Sequence, residues 1–470
     1  LCGSRTSGQE KPAEVADYAK IFKAYDIRGL VPSELDEGVA EAVGAAFASM
    51  SEAASVVIVH DMRTSSEPLA AAFARGAASA GADVVDGGLG STDMLYYGSG
   101  SLDMPGAMIT ASHNPARYNG IKLCRAGARP VGQDTGLAQL RDLASASGQT
   151  SAGRQTSAAV PGAVTKQDLL SGYADYLKTL VDLSSIRHLK VAVDAGNGMA
   201  GHTVPGVFAG LPIETVPLYF ELDGSFPNHE ANPIDPANLV DLQAAVRGSG
   251  ADIGLAFDGD ADRCFVVDER GEVVSPSVLT ALIAVHELAR EPGATVIHNL
   301  ITSRAVPEII TEHGGTPVRT RVGHSFIKAV MSEHGAIFGG EHSGHFYFRD
   351  FWFADSGMLA ALHVLAALGG QDQPLSELLR QYSRYVASGE INSEVSDQAA
   401  VTAKVRQAYA GQDDITADEL DGLTITSKDW WFNLRPSNTE PLLRLNVEAD
   451  NDAVLAKVTD DVLRIVRDGD

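Results

Sequence analysis

The sequence predicts an α/β protein of about three or four domains. Three observations carry that reading. At 470 residues the chain is too long for one hydrophobic core. Along most of its length β-rich runs alternate with helix-like stretches, the pattern of strands layered with helices. After the helix-like stretch Leu375–Tyr382 the plan changes to four strand-like runs and one terminal helix, a smaller α+β unit. An apolar fraction of 44% and a charged fraction of 21% are ordinary for a globular protein.

The elements follow in order. Leu1–Ala19 has scattered charges and no apolar h-region, so it does not resemble a signal peptide. Without an initiator Met, its first dozen residues stand outside the fold argument. Ser55–His60 (SVVIVH) reads as a strand, and Glu67–Ala80 as a helix behind the cap-like pair Ser65-Ser66. Ala82–Asp86 and Ala107–Thr110 are further strands. The second of these lies in the apolar run Pro105–Ser112, and Pro115 forbids its simple continuation. Ser145–Val164 is rich in Ser, Ala, Gly and Thr and lacks periodicity, so it reads as a linker or mobile surface segment.

A second unit opens with a helix at Lys166–Val181 and a strand at Lys190–Asp194 that runs into Asp194-Ala-Gly-Asn-Gly198. A helix near Pro236–Gly248 and a strand at Asp252–Phe257 follow. The third unit has strands at Thr295–Asn299, Pro317–Val322 and Ala336–Gly339 with helices between them. The last has strands near Glu390–Val395, Leu423–Thr426, Asp429–Leu434 and Leu442–Val447, then the helix Asp452–Arg467. One α/β plan recurs without a strict sequence repeat.

Composition removes several function classes. A formal charge of −25 opposes nucleic-acid and anionic-membrane binding. No apolar run approaches the roughly 20 residues of a membrane helix, and the best candidate, Ser277–Ala289, is short and carries His and Glu. Cys2, Cys124 and Cys264 have no metal-ligand spacing and argue against a disulfide framework, so a cytoplasmic protein is expected.

Four loops carry chemistry. Thr110-Ala-Ser-His-Asn-Pro115 sets the hydroxyl of Ser112 beside the imidazole of His113 at the end of a strand. Alone, it fits a plain turn better than a catalytic pair. Asp258-Gly-Asp-Ala-Asp-Arg263 offers three carboxylates, which converge only if the chain curls there. Such hard oxygens suit Mg²⁺ or Ca²⁺ and leave coordination positions open for a phosphate oxygen. Asp258, Asp260, Asp262 and Glu269 also match the EF-hand spacing, but Arg263 stands where that loop needs Gly, and the flanks are strand-like. Gly339-Gly-Glu-His-Ser-Gly-His345 places Glu341, Ser343 and His345 after a strand, where polar groups grip sugar hydroxyls or move protons. Arg435-Pro-Ser-Asn-Thr-Glu-Pro441 sets a guanidinium beside hydroxyl and amide donors, as a phosphate cradle would. Tyr25 and Arg28 in Lys23–Gly29, Lys122 in Tyr118–Lys122 and His324 in Arg321–Lys328 complete the set. A negative chain can hold an anion only by concentrating such basic groups locally.

In this order the four loops resemble those of the α-D-phosphohexomutases, and within them the phosphomannomutase/phosphoglucomutase group, from about Ile21 to the C-terminus. The resemblance implies a four-domain α/β architecture around a central cleft: three related α/β domains (1–160, 161–270, 271–380) and a C-terminal α+β domain (381–470), each giving one loop. It implies that Ser112 is a phosphoserine, with Mg²⁺ held by its phosphate and by Asp258, Asp260 and Asp262. The phosphoryl group would pass to the sugar phosphate, and the 1,6-bisphosphate would turn and return its other phosphate. His113 and Arg28 then support the nucleophile, and Lys122 and His345 are the candidates for proton transfer. Glu341 and Ser343 would hold sugar hydroxyls, Tyr25, Arg263 and His324 would line the cleft, and Arg435, Ser437, Asn438 and Thr439 would bind the distal phosphate. The partners implied are hexose phosphates, with a hexose 1,6-bisphosphate as activator, no nucleic acid and no membrane, in a monomer or weak dimer. His342 replaces the Gln common among phosphoglucosamine mutases and counts mildly against that branch, while mannose against glucose stays open. Two rivals remain: a Mg²⁺-dependent sugar phosphatase and a non-catalytic sugar-phosphate-binding relative.

Overall fold

Three of the four sheets share one strand order. In this computed structural model, which describes residues 17–149, 160–412, 414–437 and 442–468, each is built on a core of four strands taken in chain order, the first of them central. The first sheet also adds Ile27–Leu30 at the edge beyond its fourth core strand. In each core the second strand pairs with the first in parallel on one side and the third in parallel on the other. The fourth then runs antiparallel to the third. These four are Ser55–His60, Asp83–Leu89, Gly106–Ile109 and Tyr118–Arg125 in the first sheet. They are Leu189–Asp194, Ile213–Leu218, Ile253–Phe257 and Cys264–Asp268 in the second. In the third they are Thr295–Asn299, Thr316–Thr320, Phe338–Gly340 and Phe346–Phe348. The link from third to fourth strand therefore leaves the carboxyl end of a parallel strand in every unit, where α/β sheets bind ligands. Residues 110–117, 258–263 and 341–345 are those three links.

The central strands are largely buried, with apolar stretches such as Val56–Val59, because both faces are covered. In Ser55–His60 the faces divide with the two-residue period of a strand. Val57 and Val59 join a core that continues through the second and third units, whereas Val56 and Ile58 pack with the helices Glu37–Ser51 and Ser66–Ser79. Those two helices cross in backbone contact. A Cβ on Gly44 would lie 2.1 Å from the Phe73 carbonyl oxygen, and one on Gly76 1.9 Å from that of Glu41. The continuous core from Val57 to Phe346 fixes the first three units against one another. The fourth sheet is antiparallel, with Val386–Glu394 beside Leu442–Ala449, Trp430–Pro436, Leu423–Thr426 and Thr416–Asp418. It has its own core, and the helices Gln398–Tyr409 and Asp452–Asp468 contribute Val405 and Val462 to it.

Three expectations are corrected. The expected linker 145–164 is structured at both ends: the helix Leu137–Gln149 runs through its start, and Val164–Lys166 pairs in parallel with Asp83–Leu89 at the edge of the first sheet. That sheet thus extends past residue 160, and residues 150–159 of the linker lie outside the described residues. The following helix begins at Leu170, not Lys166, because the strand and the Asp168 turn come first. Ser65 does not cap its helix. Its Oγ accepts instead from Asn119 Nδ2 at 2.8 Å, while Ser66 Oγ donates to Asp61.

Candidate active site

The first loop holds Ser112 in the left-handed region, at φ +50°, and nearly buried. That conformation is uncommon for a residue with a side chain, so its surroundings must enforce it. Thr110 Oγ1 accepts from the Ser112 N–H at 2.9 Å and in turn donates to Asp61 Oδ2 at 2.7 Å. Ser112 Oγ donates to Asp258 Oδ2 at 2.9 Å and lies 3.2 Å from His113 Nδ1. Arg28 reaches the same loop, donating to Asn114 Oδ1 at 2.8 Å while paired with Asp26.

The second loop curls as expected, with Ala261 in the left-handed region at φ +59°. Oxygens of Asp258, Asp260 and Asp262 come within 4.8 Å of one another, and all three side chains are buried. Lys122 Nζ lies 2.7 Å from Asp260 Oδ2 and 2.6 Å from Asp262 Oδ2. Arg263 Nε donates to Asp258 Oδ2 at 2.9 Å, and its Nη2 to His113 Nδ1 at 2.6 Å. Thr92 Oγ1 adds a bond of 2.6 Å to Asp260. Burial pushes the Asp258 carboxyl up to about 7, the neighbouring carboxylates add to this, and Arg263 opposes it. Burial acts the same way on Asp260, yet Lys122 outweighs it and holds that carboxyl well below its usual range. Burial lowers the Lys122 ammonium, but Asp260 and Asp262 more than reverse this and raise it well above its ordinary value. His113 is held far below its ordinary value, first by burial and then by Arg263 and Arg28.

The donor set fits a hard divalent cation. Asp260 Oδ1 and Asp262 Oδ1 are buried with no hydrogen-bond partner among the described residues. Two orphaned carboxylate oxygens beside a third carboxylate are costly without a cation to face.

The third loop brings His345 to the same place. Its Nδ1 lies 2.9 Å from Asp355 Oδ2, and Asp355 Oδ1 lies 2.6 Å from the buried ammonium of Lys328. Burial lowers the His345 imidazolium, but the Asp355 bond and the charges of Asp262 and Asp355 prevail and raise it. A cavity of about 130 Å³ collects Tyr25, Arg28, Ser112, His113, Lys122, Asp262, Arg263 and His345. Glu341 is buried, accepting from Ser343 Oγ at 2.9 Å and from the Gly323 N–H at 3.1 Å. His342, one residue on, turns to Ser277 and lines a separate cavity with Ser303, Tyr385 and Trp431.

A further cavity of about 290 Å³ is lined by Tyr25, Arg321, Arg435, Ser437 and Arg444. Tyr25 thus borders both the nucleophile cavity and this cationic one. Asn438 and Thr439 lie outside the described residues, as does the side chain of His324, whose backbone opens the helix His324–His334. Reading the sequence alone missed Thr92, Asp355, Lys328, Arg321 and Arg444. Arg321 and Lys328 do bound the segment singled out for His324, so part of the signal was present.

Comparisons with known proteins agree with this geometry. Models of the family described as phosphoglucomutase/phosphomannomutase match domain I over residues 19–149, domain II over 171–271, domain III over 275–385 and the C-terminal domain over 390–465. A phosphomannomutase of Salmonella montevideo is 40% identical over 95% of this chain and 98% of its own. A Xanthomonas campestris protein named phosphohexose mutases is 41% identical over 95% and 99%. Among solved structures, a phosphoglucomutase/phosphomannomutase family protein of Burkholderia thailandensis superposes with a TM-score of 0.85 at 34% identity, covering 96% of this chain and 98% of that one. An Aspergillus fumigatus N-acetylphosphoglucosamine mutase, solved with GlcNAc-6P and magnesium, shares the fold at a TM-score of 0.61 and 14% identity over 97% of this chain and 96% of its own. The chain belongs to the phosphoglucomutase/phosphomannomutase family: it is an isomerase, a phosphohexomutase of the phosphomannomutase type.

Proposed function

We propose that Ser112 carries the phosphoryl group of a phosphomannomutase that also accepts glucose phosphates. The observation that carries this reading is the 2.9 Å bond from Ser112 Oγ to Asp258, which sets a loop hydroxyl against three converged carboxylates. Mg²⁺ would be held by Asp258, Asp260, Asp262 and the phosphate on Ser112, and when bound it neutralises charge on the group in transfer. The N-acetylphosphoglucosamine mutase solved with magnesium and a hexosamine phosphate makes the same cofactor and substrate class reasonable here.

Chain residues do the rest. Arg321, Arg435 and Arg444 line the distal cavity and suit the phosphate that stays on the substrate, with Ser437 as a further donor. Lys122, Arg263 and Arg28 neutralise the reacting end, with Lys122 protonated at rest beside its two aspartates. The P–O bond to Ser112 Oγ breaks as a bond forms to the sugar hydroxyl oxygen, and the released Ser112 oxygen takes a proton from Lys122 in the same cavity and gives it back on the return transfer. His345, oriented through Nδ1 by Asp355, takes the hydroxyl proton and returns it in the reverse step. Glu341 and Ser343 hold the ring hydroxyls. The bisphosphate turns between the Ser112 end and the distal guanidiniums, and added hexose 1,6-bisphosphate restores enzyme that has lost its phosphate. His342 turns away to Ser277 and a separate cavity, so sugar recognition in this loop is assigned to Glu341 and Ser343.

The distal cavity favours a mutase over a phosphatase, which has no need to hold the second phosphate. Among the described residues no helix is long and apolar enough to cross a membrane, and Cys124 and Cys264 are buried free thiols, in keeping with a reducing cytoplasm. Exposed large apolar side chains such as Leu89, Ile234 and Leu420 are scattered, which suits a monomer or weak dimer. The test is kcat/KM for mannose 1-phosphate and glucose 1-phosphate on one Mg²⁺-loaded preparation primed with hexose 1,6-bisphosphate, with inorganic phosphate followed alongside. Both sugars should turn over without stoichiometric phosphate release. Phosphate released in step with turnover would replace this reading with the phosphatase.

A further inference from the structure

Arg63 lies in the turn after the central strand Ser55–His60, buried, and belongs to none of the apolar cores. Its guanidinium is shared out completely. Nε donates to Asp61 Oδ2 at 3.2 Å, Nη1 to the carbonyls of Pro115 and Tyr118 at 3.0 Å each, and Nη2 to those of Ser112 at 2.8 Å and Asn114 at 2.6 Å. Five N–H donors meet five acceptors. Three of the acceptors are backbone oxygens of the nucleophile loop, one of them that of Ser112 itself, and a fourth is that of Tyr118, where the next strand begins.

Four carbonyl dipoles aimed at one point repel each other unless a cation stands there. A planar fork fills that role where a lysine's compact ammonium, with three donors, cannot. The second unit holds the fork in place. Phe226 covers the guanidinium at 5.0 Å, and the turn beneath is so close that a Cβ on Gly224 would fall 2.5 Å from Arg63 Cα.

We propose that Arg63 is the positioning residue of the reaction, fixing Ser112 in its left-handed conformation and so setting the direction from which Oγ gives and receives the phosphoryl group. This rests on Ser112 being the nucleophile. Arg63 touches no reacting atom and acts through the backbone. Its loss therefore removes alignment in the transfer step while the substrate's contacts with Arg435, Glu341 and Ser343 persist.

The test compares Arg63→Lys, Arg63→Ala and Ser112→Ala on the full chain, with far-UV circular dichroism confirming the fold. Arg63→Lys is expected to lower kcat about 100-fold with KM for mannose 1-phosphate within about threefold of wild type. Arg63→Ala should recover at least about tenfold with added methylguanidinium but not with methylammonium, a rescue that a purely structural loss would not show. A folded Arg63→Lys protein with kcat within about threefold of wild type overturns the proposal, as does an equal loss carried in KM. If neither Arg63 variant folds, Phe226→Leu decides at a half-exposed turn: a kcat reduced about threefold or more at constant KM supports the role, and an unchanged kcat overturns it. Turnover by Ser112→Ala would instead refute the nucleophile assignment, which separates the two failures.

Discussion

Ser112 and Asp258 stand 146 residues apart, yet Ser112 Oγ donates to Asp258 Oδ2 at 2.9 Å. The bond joins equivalent loops of two related units, each the link between a third and a fourth strand. The backbones meet as well, since a Cβ on Gly259 would lie 2.5 Å from the Ser112 carbonyl oxygen. That oxygen is the one held by Arg63 Nη2. Nucleophile and metal loop are therefore set by one contact, with no space between them.

Gly259→Ala should force the two loops apart. Positioning accounts for much of phosphoryl transfer, so the resulting shift of about half an ångström or more is expected to lower kcat at least about tenfold. Steady-state kinetics beside a thermal melt checks this, and wild-type kcat in the folded variant would contradict it.

Asp93 predicts a pH dependence away from the reacting atoms. It is buried and accepts from Ser356 Oγ at 2.6 Å and Tyr173 OH at 2.7 Å, tying the first unit to the third. Burial raises its carboxyl from 3.8 to about 6, against those hydrogen bonds. The native state thus binds the proton more tightly than the unfolded chain between these values, and stability falls as pH rises through that window. Above it the cost is at most about 3 kcal/mol. Asp93→Asn should match wild type in urea melts below about pH 4 and exceed it by up to that amount above about pH 6. A difference that does not change with pH would refute the assignment.

Lys328 and Asp355 form an ion pair with each side chain only 3% exposed. Lys328→Met leaves a buried carboxylate short of its cation and is expected to cost about 3–5 kcal/mol in chemical denaturation. A loss below about 1 kcal/mol would mean that His345 alone satisfies Asp355.

Arg435→Ala and Arg321→Ala act on the distal cavity. Each should raise KM for hexose phosphates at least about tenfold while moving the melting temperature little, because both guanidiniums line a cavity outside the cores. Unchanged KM in both would remove this cavity from substrate binding.

The four loops were legible because each is contiguous: three aspartates in five residues, or a Ser-His pair after an apolar strand, carry their own spacing. Groups that reach the site from elsewhere were not. A lone Arg63, Thr92 or Asp355 has no period or spacing to mark it, and only the tertiary fold brings it in. Parallel central strands such as Ser55–His60 stood out as apolar runs. Val164–Lys166 did not, since all three residues of this edge strand are exposed. The helix Glu37–Ser51 was hidden by Gly38 and Gly44, and the second is there because the Phe73 carbonyl leaves no space for a side chain.

The most direct measurement is phosphoryl incorporation from hexose 1,6-bisphosphate into wild type and Ser112→Ala, read by intact mass with mutase turnover on the same samples. Wild type should gain one phosphoryl group on Ser112, and the variant should gain none and lose turnover with its circular dichroism unchanged. Turnover near wild type in Ser112→Ala, or a phosphoryl group found on another residue, would contradict the account.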